Sequence, residues 1–158
     1  MITNEFNPRP ALLATRIMYF AMIAGLLFFL AVTIYISVAP FYFKADFSDP
    51  FLLVLLILSC TVLPLGSYIS RKALPGSDAN ETLRTKYPRY QTRLIIRMAT
   101  CEGVGLFSVV CYLLSPNLAF LLFLLISVFI MLQYYPTPEK IGRDLNLTQS
   151  EIESFTQI

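Results

Sequence analysis

Histidine is absent from all 158 residues. His-ligated haem, His-based zinc sites and imidazole general bases are therefore excluded. Charge is also scarce. Only 14% of residues are charged, against about 25% in an ordinary soluble domain, and the net charge of +2 is too small for nucleic acid to be a bulk partner. Three cysteines are present, Cys60, Cys101 and Cys111. All fall in apolar runs with no CxxC spacing, so they are expected to pack as small buried side chains and not to form disulfides or hold metal. Paired carboxylates and nucleophile–base constellations are missing as well. The chain is expected not to be an enzyme and to need no cofactor.

What fills the chain is apolar. Hydrophobic residues make up 56% of it and the mean hydropathy is +0.66, more apolar surface than one soluble core of this length can hide from water. Four runs stand out, at about 17–38, 51–69, 94–114 and 118–135. About 20 helical residues cross roughly 30 Å of hydrocarbon. Lipid offers no partners to a free backbone, so the runs are predicted to be helices. The first is too long for the apolar region of a cleaved signal peptide, typically about 7–15 residues, and is expected to be a retained span.

Lysine and arginine give the orientation. Arg9 and Arg16 precede the first run. Arg71, Lys72, Arg84, Lys86, Arg89 and Arg93 separate the second from the third, and Lys140 and Arg143 follow the fourth. The outer connections hold only Lys44. The positive-inside rule then predicts an all-α, up-down-up-down bundle of four transmembrane helices in a plasma membrane, with both termini cytoplasmic. A basic loop at 70–93 and a tail at 136–158 would lie on the same side. Aromatic residues agree, with Phe41, Tyr42, Phe43, Phe47 and Phe51 at one boundary and Tyr87, Tyr90, Tyr134 and Tyr135 at the other. Asn80 and Asn146 stand in glycosylation sequons but on the predicted cytoplasmic side, where they are chance matches.

The middle loop reads as a turn at Pro75-Gly76 and a short polar helix ending before Pro88. Beyond it Arg84, Lys86, Arg89, Arg93 and Arg97 alternate with tyrosines. Such a strip can attract anionic headgroups at about 1 kcal/mol per basic residue, or simply fix topology. In the tail, Pro136 and Pro138 end the fourth helix. Thr148-Gln-Ser-Glu151 is a capping box, flanked by Leu147 and Ile152 as a hydrophobic staple, which predicts a helix over about 149–156. Ile141, Leu145 and Leu147 could dock this tail on the bundle or on a partner.

Glu102 is the outstanding polar residue. It lies about 13 Å inward from Arg93, near mid-membrane. A charged carboxylate there costs at least about 2.5–3.5 kcal/mol, so it should be protonated, paired or beside water. Arg97, five positions away, is about 140° around the helix and cannot share its face. Residues expected at matching depth are Gly25, Cys60, Pro64 and Ser127. Pro64 lacks an amide and so frees the Cys60 carbonyl, to which Glu102 could donate. Ser127 is the other candidate acceptor. Gly103 and Gly105 would permit close backbone approach. Glu102 pins helix packing as a neutral acid, takes up and releases a proton or another cation, or meets a ligand or a partner subunit.

Four spans and one midmembrane Glu look superficially like a duplicated-hairpin proteolipid of a rotary ATPase. With only six glycines and no internal repeat, the likeness extends to Glu102 alone. A second likeness rests on Arg97-Met-Ala-Thr-Cys-Glu102-Gly103-Val-Gly-Leu, Tyr112-Leu-Leu, Tyr135-Pro-Thr-Pro-Glu-Lys-Ile and Asp144-Leu. Over about the last 60 residues the chain resembles small four-span bacterial inner-membrane proteins, a likeness that implies a fold and a bacterial inner membrane but no activity. The sequence thus leads to a non-catalytic accessory or assembly subunit that meets anionic lipids and other membrane subunits or copies of itself. The alternative is an oligomeric channel or proton- or cation-translocating subunit using Glu102.

Overall fold

A computed structural model of the chain describes residues 7–37, 42–44, 48–72 and 81–155. Six helices form there: α1 Pro8–Ile36, α2 Pro50–Lys72, α3 Leu83–Leu114, α4 Ala119–Gln133, α5 Pro138–Leu145 and α6 Gln149–Glu153. The 18-residue apolar windows of α1, α2 and α3 have mean hydropathies of 2.5, 2.3 and 1.7, and each helix is long enough to cross a membrane. By length and composition α4 and α5 together make a fourth candidate, bent by 79°. These helices mark the chain as a helical membrane protein.

Helix α3 is the axis, with α1, α2 and α4 all packed on it. Leu12, Thr15, Tyr19, Ile23 and Leu26 recur at three- and four-residue spacing and form the buried stripe of α1, the period of one helix face. The opposite face exposes Phe20, Phe28 and Tyr35, as expected of side chains that meet acyl chains. Two glycines set how closely the helices approach. A Cβ on Gly66 of α2 would fall 2.6 Å from Thr100 Cγ2 of α3. One on Gly105 of α3 would fall 2.8 Å from Leu26 Cδ2 of α1 and 3.4 Å from Leu124 Cδ1 of α4. Gly103, expected to do the same, has open space beside it.

At one end of the bundle, rich in Arg and Lys, the start of α1 meets α3 and the tail. The Thr15 hydroxyl donates to the Ala11 carbonyl (2.9 Å). It is therefore left to accept from Gln91 Nε2 (2.8 Å) and the Tyr87 hydroxyl (2.8 Å), since one hydroxyl has a single proton and two lone pairs. Tyr19 donates to the Met131 carbonyl of α4 (3.1 Å) and Arg16 Nε to the Pro136 carbonyl (3.3 Å). At the far end Asn117, in the α3–α4 turn, clamps the α1–α2 connection. Its Oδ1 accepts the Lys44 and Ala119 amides (3.0 and 3.1 Å) and its Nδ2 donates to the Lys44 carbonyl (2.7 Å). Tyr42 also exchanges backbone hydrogen bonds with Pro116 and Leu118.

Three sequence expectations are corrected. The basic stretch at 70–93 is not a loop throughout, because α3 begins at Leu83 and runs unbroken past Pro88. Pro88 removes one rung from the ladder. The stripe Tyr87, Tyr90 and Leu94, buried under α1 and the tail, holds the helix across the gap, and Pro88 itself faces outward. The turn expected at Pro75-Gly76 lies outside the described residues. The fourth helix ends at Gln133, not at residue 135. The Tyr134 and Tyr135 amides bond three residues back to Met131 and Leu132, and Pro136 stops the ladder. At fifteen residues, α4 is about 22 Å long.

The third correction is a helix that was not expected, α5. Thr137 caps it by accepting the Lys140 amide (3.3 Å) and Pro138 takes its first position, a common N-terminal signature. The tail docks on its own chain. Ile141 and Leu145 are 0% and 1% exposed, and Asp144 lies 3.8 Å from Arg93. Asn146 closes α5 at φ 50°, a left-handed conformation that Asn tolerates; this is the structural role of that sequon residue. Ile152 of α6 packs directly on Gly142, and Phe155 lies 5.9 Å from Tyr87, ring to ring. The regular part of α6 ends at Glu153.

Candidate functional site

Glu102 sits on α3 at the margin of its contact with α1. A Cβ on Gly25 would stand 4.0 Å from Glu102 Oε1. Gly25, Ala99 and Gly103 around it are exposed, and the carboxylate is half-buried. It makes no hydrogen bond or ion pair to any described residue. The expected midplane layer is not assembled. Cys60 is exposed, Pro64 faces a different cleft with Arg97, and Ser127 is fully buried with its hydroxyl unpartnered among the described residues. The reason is rotational. Equal depth brings these residues to one level, but α2 and α4 pack on other sides of α3 than the side that carries Glu102. Of the expected layer, only Gly25 lies beside it.

Arg97 is placed quite differently. Its Nε donates to the Ser70 hydroxyl of α2 (2.8 Å), and its guanidinium carbon lies 5.0 Å from the Tyr134 ring centroid beyond α4, within cation–π range. Ser70 in turn donates to the Ser67 carbonyl (2.8 Å). Arg97 thereby lines a cavity of about 310 Å³ between α2, α3 and α4. Sequence reasoning found Arg97 but not Ser67, Ser70, Thr100 or Tyr134 around it. A serine or threonine within an apolar run was the available signal, yet nothing in one sequence says which faces meet.

The remaining basic residues do not form one strip. Arg84 is exposed. Lys86 is 3% exposed, so it is not an open headgroup contact; its charge acts on Glu151 of the tail. Arg89 is paired with Glu81 at 2.8 Å and Arg93 with Asp144. Near the tail, burial raises the Tyr87 and Tyr90 hydroxyls above their ordinary range, with Asp144 adding to the effect at Tyr90. At Glu151 the Thr148 amide holds the carboxyl below its ordinary value.

Comparison with protein-family models, with curated proteins and with solved structures gives no match. What the molecule does therefore has to be inferred from its own geometry.

Proposed function

We infer that the chain is a non-catalytic subunit of a membrane complex, and that the Glu102 rim of α1 and α3 receives a transmembrane helix of a partner. The observation that carries this reading is an unpartnered carboxylate, near the middle of α3, on a face of small exposed residues. Small side chains let helices approach closely in lipid, and a carboxyl group there gains most from a donor on the arriving helix. The partner's chemistry follows: a helix with a Lys, Arg, Ser, Thr or Asn side chain at mid-depth.

The chain crosses four times in this reading, with α4 as a short fourth span, α5 and α6 in the cytoplasm and both termini inside, in a bacterial inner membrane. Two features support it. Arg16, Arg71, Arg93 and Lys140 share one end, and the start of α1 meets the tail through the Arg16 contact to Pro136, as an even number of crossings requires. Translocation by Glu102 is the competing reading, and among the described residues no second carboxylate or polar row leads away from it.

Affinity isolation of the full chain from membranes in mild detergent tests the proposal. A membrane protein that co-purifies with the native chain should be lost with Gly103→Leu and with Glu102→Leu. A hydrophobic carbodiimide should modify Glu102 in the isolated chain and not in the complex. Recovery of the native chain alone, with Glu102 labelling in membranes that falls as Na⁺ or pH is raised, would replace the docking reading by translocation.

A further inference from the structure

The cavity beside Arg97 has the polarity of a lipid. On each of its three walls a polar residue lies nearer the basic end and an apolar one about a turn deeper. On α2 these are Ser67 and Leu63, on α3 Arg97 and Cys101, and at the end of α4 Tyr134 and Ile130. Thr100 is the one polar lining residue at the deeper level, and its hydroxyl proton is given to the Arg97 carbonyl (2.8 Å). A cleft for a soluble ligand has no reason to grade in this direction on three helices at once, whereas a phospholipid must place its headgroup at the membrane surface and its chains inward.

Charge supplies the second observation. Arg93 precedes Arg97 by about one turn of α3, and Arg71 follows Ser70, which Arg97 touches. The carboxylate nearby, Asp144, already stands beside Arg93 at 3.8 Å. The neighbourhood of the cavity is therefore left with two cations, Arg71 and Arg97, without an anionic partner among the described residues. Arg97 gives only its Nε–H to Ser70, while a guanidinium carries five donors in a planar fork. The other four are free for an oxyanion, the geometry that suits phosphate.

The geometry points to a bound anionic phospholipid in this cavity, its phosphodiester on the Arg97 fork, with the Ser67 and Tyr134 hydroxyls within reach, and its glycerol end against Leu63 and Ile130. The volume of about 310 Å³ accommodates a phosphate and its glycerol, not a whole lipid, so the acyl chains leave along the same face of α2 one and two turns deeper, where Cys60 and Leu56 stand open. The site differs from general attraction of headgroups to a basic surface because it needs one arginine and one cavity. It is separate from the Glu102 rim and does not depend on it.

Native mass spectrometry of the full chain, released from detergent, measures the occupancy. The probes are dioleoylphosphatidylglycerol, dioleoylphosphatidylcholine and inorganic phosphate. One phosphatidylglycerol should bind in preference to phosphatidylcholine, and Arg97→Gln should weaken it about tenfold. Arg84→Gln, at the exposed basic surface, should leave it unchanged. Ile130→Trp keeps Arg97 and fills the apolar half of the cavity, so it should also release the lipid and remains informative if Arg97→Gln does not fold. Equal losses from Arg84→Gln and Arg97→Gln, or full binding in Ile130→Trp, would overturn the site. Inorganic phosphate that binds Arg97 and competes the lipid away would show an oxyanion site with no lipid in it, and would overturn the proposal equally.

Discussion

Arg97 and Glu102 are five residues apart on one helix, and the protein treats them in opposite ways. Arg97 turns inward between α2 and α4 and gains a serine hydroxyl at 2.8 Å and an aromatic ring at 5.0 Å. Glu102 turns outward beside Gly25 with neither. The difference follows from helical rotation, since five residues advance the face by about 140°, and from which neighbours carry hydroxyls. A cation at the boundary can be held by groups the chain itself provides. The carboxylate near the middle of α3 has no such group within reach among the described residues.

The largest expected effect separates two glycines, one on each side of this difference. Gly66→Val drives a side chain into Thr100, a rigid β-branched neighbour, on the side that holds Arg97. Overpacking of this kind costs about 1–3 kcal/mol or more, and thermal unfolding in detergent should show it. Gly103→Val, on the Glu102 side, meets open space and should stay within about 0.5 kcal/mol. Equal losses would mean that the two faces of α3 are packed alike, and the contrast would fail.

Next come the charged residues themselves, where the signs should differ. Arg97→Leu removes a charge-assisted hydrogen bond and a cation–π contact, a loss of about 2 kcal/mol. Glu102→Leu removes an unpaired polar group and should leave the isolated chain unchanged or more stable, by up to about 2 kcal/mol. Urea or heat titration of both variants in the same detergent decides it. Destabilisation by Glu102→Leu would mean that the carboxyl group is already held within this chain.

The same contrast marks what a single sequence could and could not reveal. The long apolar runs were legible because their periodicity and length have one physical solution in lipid. The mutual rotation of the helices was not, which is why Cys60 and Ser127 were expected beside Glu102 and are not there. Local rules also yielded to packing at Pro88, where the buried Tyr87–Tyr90–Leu94 stripe carries α3 past a residue that normally ends a helix. Lys86 shows the converse, a charge that looks solvated by composition and is covered once the tail folds over it. Helix α5 was readable in hindsight, since Thr137-Pro138-Glu139 is an ordinary helix start hidden behind Pro136. The clamp made by Asn117 was not, because its partner Lys44 lies 73 positions away.

The smallest expected effect concerns a carboxylate that, unlike Glu102, is held by its own chain. Glu151 accepts the Thr148 amide at 2.8 Å and the Thr148 hydroxyl at 2.9 Å, and the amide is the main reason its carboxyl lies below the ordinary value of 4.5. A group whose folded pKa is lowered stabilises the fold fully above its unfolded pKa and loses that contribution as pH falls through the lowered value. The α6 cap should therefore be intact at neutral pH and fray as acid is added below about 4.5, taking with it the Ile152 contact on Gly142. Protection of the α6 amides, the exchange rate divided into the intrinsic rate at each pH, should fall over that range in the native chain. Glu151→Gln keeps the shape of the cap without the charge, so its exchange should be slightly faster at neutral pH, by about 0.5 kcal/mol of local opening, and should lack the acid dependence. An acid dependence that persisted in Glu151→Gln would place the titrating group elsewhere in the tail, with Asp144 beside Arg93 as the next to test.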